Sequence, residues 1–275
     1  MVTGPDRDDE ELQGLGDDLD AVRRRAPEPT ATGDPARDPE DDDLDELDRR
    51  RRGRGRWILA VILVLVMLVP VSGVFVDEFD FSRSADEVRE QVGSGDPLLD
   101  AVMLVRTIGC DGQVTTGSAF ALQIDGEVVV LTNRHVVERA TSIGVRPLTG
   151  GPSIRVTDHR ISLNRDVAVL EVPEDRHTPT PLSVADRTAL GEAIRIVGFP
   201  GGRPSATSGT VADLSGDRVL LDVSVQQGSS GSPVVDADGG VVGIVTARTS
   251  DGRGLALGIG EVVAAAGSVV PPRPC

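Results

Sequence analysis

Gln227-Gly228-Ser229-Ser230-Gly231-Ser232-Pro233-Val234-Val235 is a glycine-rich turn that holds a serine and runs straight into a short apolar strand. A serine hydroxyl is a poor nucleophile at neutral pH and needs an adjacent base. Two upstream stretches supply the partners. Leu131-Thr132-Asn133-Arg134-His135-Val136-Val137 is a strand ending in a histidine, and Asn164-Arg165-Asp166-Val167-Ala168-Val169-Leu170 is an aspartate opening an apolar strand. An imidazole titrates near neutrality and can take the serine proton. A carboxylate behind it fixes the tautomer and stabilises the imidazolium. Glycines flanking the serine let backbone N–H groups turn toward a developing oxyanion. Each stretch alone is a common surface feature; together they supply base, orienting acid and nucleophile, in the order His135, Asp166, Ser230.

The surrounding sequence has an all-β texture from about Leu98 onward. Short Val-rich runs alternate with Gly, Asp and Pro turns: Ala101–Thr107, Ser118–Ile124, Glu127–Thr132, Val167–Val172, Ile194–Gly198, Arg218–Val223 and Val241–Arg248. Asp125-Gly126 and Asp238-Gly239 are tight hairpin signals. Helical periodicity returns only at Ile259–Ala266. The aromatics of this region are Phe120 and Phe199, so its core must be aliphatic. Such a stretch fits one sandwich or two small barrels.

The chain has 275 residues with 44 acids against 28 bases, a net charge of −16, which argues against a nucleic-acid-binding surface. All the bases are Arg, in keeping with a high-GC bacterial genome. Two cysteines exclude a disulfide-dense miniprotein and a multi-cysteine zinc site. No phosphate loop, haem motif or metal-ligand spacing occurs, so no cofactor and no metal is expected.

The charge is unevenly spread. Residues 1–48 carry 18 acids and 5 Arg, a net −13, and have too little apolar surface to bury a core; they read as a disordered acidic tail. Residues 49–56 contain six Arg. Residues 57–76, Trp57 to Val76, carry no charge. A 20-residue helix spans about 30 Å, the thickness of a bilayer core. The Arg cluster retains the tail in the cytoplasm, so the sequence predicts a single-pass anchor in the cell membrane with residues beyond Val76 outside. A cleaved signal peptide is the rival reading, with the small residues Val71-Ser72-Gly73 near its end, but a leader preceded by about 50 residues is atypical. Residues 77–97 form a linker in which Ser84 could cap a short helix reaching Val92. An oxidising exterior favours a disulfide between Cys110 and Cys275, tying the tail back to the first strand; an intermolecular bond is the alternative. His159 and His177 read as solvent-exposed and without a role.

Gly117-Ser118-Ala119-Phe120, Thr132-Asn133-Arg134-His135-Val136-Val137, Asp166-Val167-Ala168-Val169-Leu170 and Gly228-Ser229-Ser230-Gly231-Ser232-Pro233 together resemble a trypsin-like serine protease, nearest the bacterial HtrA-type branch. Val197-Gly198-Phe199-Pro200 and Thr207-Ser208-Gly209-Thr210-Val211 resemble its second barrel. The resemblance covers about Leu98 to Ala266. It implies an all-β domain over 98–275, built of two six-stranded antiparallel barrels with the site between them. It also implies an oxyanion hole from the N–H groups of Gly228 and Ser230, and a protein or peptide substrate.

The resemblance further implies a specificity pocket with Ser224 at its base and walls from Thr246, Arg248 and Gly254. A neutral Ser224 leaves a buried substrate cation unpaired, which favours cleavage after small or medium apolar residues. Asp222, two positions away, is the acid that would reverse this. The chain departs from the family at Ser232, where glycine is usual, and at Ser229, which cannot form an ion pair with a newly cut N-terminus. The peptide-binding PDZ domain that HtrA proteins append is not expected here. An α/β-hydrolase would need Gly-x-Ser-x-Gly and the order Ser, Asp, His. The alternative of a different class is an inactive trypsin-like domain used for extracytoplasmic binding or sensing.

Overall fold

The computed structural model describes residues 80–275. The acidic tail, the Arg cluster, the 57–76 span and the first residues of the linker lie outside the described residues. Among the described residues no helix is long and apolar enough to cross a membrane.

Residues 80–92 are helical (α1). Ser84 lies inside this helix rather than capping it, a correction to the shorter helix expected from sequence. The helix is held by a stripe rather than a cap: Phe81, Ala85 and Val88 are buried, at the i, i+4, i+7 spacing of one face. A one-turn helix α2 (Leu98–Ala101) feeds the first strand.

Eight strands then form one sheet: β1 (Val102–Gly109), β2 (Val114–Ile124), β3 (Glu127–Thr132), β4 (Ala140–Pro147), β5 (Ile154–Arg155), β6 (Asp158–Ser162), β7 (Ala168–Glu171) and, from the far C-terminus, β14 (Val269–Val270). Their order is β14-β6-β7-β3-β2-β1-β4-β5. Helix α3 (Arg134–Val137) interrupts the run between β3 and β4. The β2–β3 hairpin turns at Asp125-Gly126, both with positive φ (51° and 90°), as the dipeptide requires.

The remaining strands are β8 (Ala193–Gly198), β9 (Ser205–Ser215), β10 (Arg218–Ser224), β11 (Pro233–Val235), β12 (Val241–Arg248) and β13 (Arg253–Gly258). They close into a six-stranded barrel, β10-β13-β12-β11-β8-β9. Helix α4 (Ile259–Ala266) follows, where the sequence placed helical periodicity.

One barrel is therefore closed and six-stranded as expected. The first unit is instead an eight-stranded sheet. The reason lies at β5, only two residues long: it pairs with β4 (Gly144↔Arg155, Val145↔Ile154), and among the described residues no ladder joins it to β14 at the opposite edge of the sheet.

The core is aliphatic with three buried rings. One cluster fills the first sheet, with Met103, Val105, Val137 and Leu170, and another fills the barrel, with Ile194, Val211, Leu221 and Val245. A third joins the two units and α1, through Phe81, Leu98, Phe120, Leu131, Phe199 and Ile244. Cys110 and Cys275 form a disulfide with a Cα–Cα separation of 5.7 Å, fastening the C-terminal tail beside β1.

Candidate active site

The candidate residues converge on β2. Ser118 lies in it, fully buried. Its N–H donates to the Ser230 carbonyl (2.7 Å), and its own carbonyl accepts from Thr132 Oγ1 (2.7 Å). Thr132 ends β3, and His135 follows three residues on, in α3. One strand residue thus fixes both the serine turn and the end of the strand that delivers the histidine. Thr107 Oγ1 donates to the Val136 carbonyl (3.2 Å) and holds α3 from the other side.

Asp166 meets His135 twice. Its Oδ2 lies 2.7 Å from His135 Nδ1, and its Oδ1 accepts from the His135 N–H (3.0 Å). Asn133, fully buried, donates from Nδ2 to the Asp166 carbonyl (2.9 Å). Arg165 anchors the same loop to the second unit by pairing with Glu261 (2.9 Å) and Asp217 (3.5 Å). Burial of Asp166 by itself would raise its pKa. The ring and backbone hydrogen bonds from His135, with the His135 and Arg134 charges, outweigh it and hold the carboxyl below the ordinary carboxylate value. Among the described residues the His135–Asp166 link is hydrogen-bonded and a Ser230–His135 link is not. Such contacts often tighten only when substrate is bound.

The serine turn is built around two glycines that tolerate no replacement. Gly228 has φ +98°, and a Cβ there would sit 2.4 Å from the Phe199 carbonyl oxygen and 2.9 Å from Gly201 N. Gly231 has φ +88°, with the Ser118 carbonyl oxygen 1.9 Å from where its Cβ would be. Ser118 Oγ donates to the Gly228 carbonyl (3.0 Å) and accepts from the Phe199 N–H (3.0 Å). Gly201 N–H donates to the Gln227 carbonyl (2.8 Å). Among the described residues, the N–H groups of Gly228 and Ser230 donate to no protein group.

Ser232, in the usual glycine position, is fully buried and its Oγ has no partner. The turn survives nonetheless, since Ser232 N–H donates to the Ser229 carbonyl and Val245 N–H to the Ser232 carbonyl. Ser229, Ser232 and Ser224 line a cavity of about 20 Å³ with Ser205 and Thr207, room for about one water.

Of the other pocket residues, Gly254 lies next to this cavity, on β13 beside β10 (Leu221↔Gly254, Ser224↔Arg253) and against Val225 of its wall, while Thr246 and Arg248 follow on β12. Arg248 pairs in register with Gly254, and Thr246 Oγ1 donates to the Leu255 carbonyl. Gly254 lets β13 close on Val225 and Leu221. The β11–β12 ladder runs from Pro233↔Ile244 to Val235↔Val241, so Thr246–Arg248 lie beyond it. Ser224 and Asp222 are both exposed, on the same face of β10.

His159 and His177 are not the solvent-exposed residues the sequence suggested. Both are half-buried with a buried Nε2 that has no partner. Burial lowers the His159 pKa. They lie in β6 and in a loop, where the short polar runs Asp158-His159-Arg160 and Arg176-His177-Thr178 gave no sign of burial.

Residues 117–244 match the family model of the trypsin-like peptidase domain. The chain carries a trypsin-like peptidase domain. Among its relatives are a putative serine protease HhoB of a Synechocystis strain, 30% identical over 63% of this chain and 46% of that protein, and a glutamyl endopeptidase of Staphylococcus epidermidis, 32% identical over 53% and 58%. The chain spans about half the length of these curated relatives. The crystal structure of the Rv3671c protease of Mycobacterium tuberculosis in its active form aligns with a TM-score of 0.53 and 26% identity, over 65% of this chain and 84% of that one. A serine endoprotease from Yersinia pestis, 24% identical with a TM-score of 0.52, shares the fold. A human serine protease HTRA4, 30% identical over 52% of this chain and 33% of that protein, is also among the relatives, in line with the HtrA-type resemblance of the motifs.

Sequence reasoning missed the supports of this site. In the sequence Ser118 and Thr132 stand only as parts of motifs, and Asn133 and Arg165 carry no role of their own. Their signal was position, being polar residues at strand ends next to the candidate triad, a pattern too common to single them out.

Proposed function

We propose that the chain is a serine endopeptidase that hydrolyses extracytoplasmic proteins or peptides through an acyl-enzyme. The observation that carries this reading is the 2.7 Å contact between Asp166 Oδ2 and His135 Nδ1. With Nδ1–H donating to Asp166, the ring presents an unprotonated Nε2 as the base.

Ser230 Oγ attacks the scissile carbonyl carbon while His135 Nε2 takes its proton. The carbonyl oxygen becomes an oxyanion, for which the free N–H groups of Gly228 and Ser230 are the donors. Because the turn is already held by Ser118, Phe199 and Gly201, these donors need little reorganisation as charge develops. Collapse expels the amine, which takes the proton from His135 and leaves the acyl group on Ser230. Water, deprotonated by the same ring, releases the acid.

The free side of Thr246–Arg248 supports an extended substrate lying antiparallel to β12. Neutral Ser224 supports apolar residues on the acyl side of the cut. The Arg cluster and uncharged span support an anchor at 57–76 with the domain of residues 98–275 outside the cell, and the Cys110–Cys275 bond fits an oxidising exterior.

Peptide-library cleavage by the full chain tests the activity, with Ser230→Ala expected to abolish it; equal cleavage by that variant would refute the assignment. Protease added to spheroplasts should digest the domain and spare the acidic tail, and the reverse pattern would overturn the orientation.

A further inference from the structure

Helix α1 lies outside the family match at 117–244, yet its first described turn touches the segment that holds the serine turn in place. Phe81 is buried and stacks on Phe199, with ring centroids 6.0 Å apart and planes 13° from parallel. Arg146 caps the other part of this stack, its guanidinium carbon 3.8 Å from the Phe81 ring centroid. One residue earlier, Asp80 pairs with Arg203 (3.0 Å).

Phe199 and Arg203 bracket the short turn Pro200–Gly202, in which Gly201 and Gly202 both have positive φ. Left-handed glycines lose more freedom on folding than other residues, so such a turn depends on outside contacts to stay in one conformation. Its contacts fall on two sides. On one side are Phe81 and Asp80. On the other are the candidate oxyanion residues, with the Phe199 carbonyl packed against Gly228, the Gly201 N–H bonded to Gln227 and the Phe199 N–H sharing Ser118 Oγ with the Gly228 carbonyl. From Phe81 to Gly228 is a chain of two contacts, Phe81 on Phe199 and Phe199 on Gly228.

We propose that Phe81 is a positioning residue for the oxyanion turn: α1 holds the 199–203 segment, and that segment holds Gly228. This rests on the serine-protease reading for its catalytic consequence, but the mechanical coupling stands apart from it. The helix directly follows the stretch assigned to the bilayer, so the coupling would make the geometry of the active site depend on the integrity of the membrane-proximal segment.

Amide hydrogen exchange on the full chain, comparing wild type with Phe81→Ala and Phe81→Leu, tests the coupling directly. Exchange should quicken by about tenfold or more in 199–203 and 226–231 of the Ala variant, less in the Leu variant, and stay unchanged in β2, β3 and the His135–Asp166 region. Turnover should fall about 10- to 100-fold in Phe81→Ala, short of the loss of a whole oxyanion donor, with KM within about twofold. Inhibition by a peptide aldehyde, which forms the oxyanion on Ser230, should weaken by the same factor as turnover, and Phe81→Leu should recover part of both. Should the Ala variant not accumulate, the Leu variant carries the test through the same two segments. Unchanged exchange in 226–231 of a folded variant overturns the proposal, as does unchanged turnover. If the wild type cleaves no peptide and its Ser230 takes no fluorophosphonate, the protease reading fails, and the exchange result alone decides the coupling.

Discussion

Ser118 Oγ lies 3.0 Å from the Gly228 carbonyl oxygen and 3.0 Å from the Phe199 amide nitrogen, so one buried hydroxyl of the first sheet serves two backbone groups of the second unit. The bond reaches across 110 residues of sequence. It fixes the peptide preceding Ser229 and thereby the direction in which the neighbouring N–H groups face.

Ser118→Ala should therefore injure both stability and catalysis. It strands a buried N–H and weakens the hold on a buried carbonyl, at a cost of about 1–3 kcal/mol. Chemical denaturation should report that loss, and kcat should fall while KM changes little. A variant as stable and as active as wild type would show that the bond does not hold the turn.

The acid limb of stability should carry the mark of Asp166. Its folded-state pKa is lowered, chiefly by His135 working against burial. A depressed carboxylate stabilises the fold fully above its ordinary value of 3.8, and that stability is lost as pH falls through the lower folded value. Melting temperature measured between about pH 5 and pH 3 should drop less steeply in Asp166→Asn than in wild type. At neutral pH the same variant should lose about 10³- to 10⁴-fold in kcat, because Asn can hold the wrong imidazole tautomer. Identical acid slopes would mean that the His135 contact is not formed in solution.

The strands that the sequence made legible are those whose apolar runs end at a turn signal. Glu127–Thr132 and Val241–Arg248 match β3 and β12 residue for residue. Strand β9 shows no apolar alternation, because Ser205–Ser215 is mostly exposed and rich in Ser, Thr and Ala, and it was legible only through the resemblance carried by Thr207–Val211. The open edge at β5 could not be read either, since closure depends on non-local pairing rather than on any residue in the strand. The triad was legible through residue chemistry in a fixed order. Its supports were not, because the value of Ser118 or Asn133 lies in what the fold brings opposite them.

Specificity should follow the neutral base. Matched peptides differing only at the residue before the cut should be cleaved faster with Val, Ala or Leu than with Arg or Lys, by on the order of a thousandfold where the cation would be buried. Asp222 shares the exposed face of β10 with Ser224. A preference for Arg or Lys that vanishes in Asp222→Asn would identify Asp222 as the pocket acid and contradict the apolar reading.

The disulfide should be a stability element. It closes a loop across 165 residues, for which the chain-entropy estimate is about 5 kcal/mol. The double variant Cys110→Ser/Cys275→Ser should unfold at markedly lower denaturant, and wild type should run as a monomer on a non-reducing gel. A covalent dimer there would replace the internal bond with an intermolecular one.

The claim that Ser230 is an activated nucleophile is tested most directly by labelling the chain with a fluorophosphonate and locating the adduct by tandem mass spectrometry. One adduct per chain is expected, on Ser230 and not on its neighbours Ser229 or Ser232, and it should disappear in His135→Ala. No adduct on the folded wild type, or one that persists at Ser230 undiminished when His135 is removed, would contradict the account.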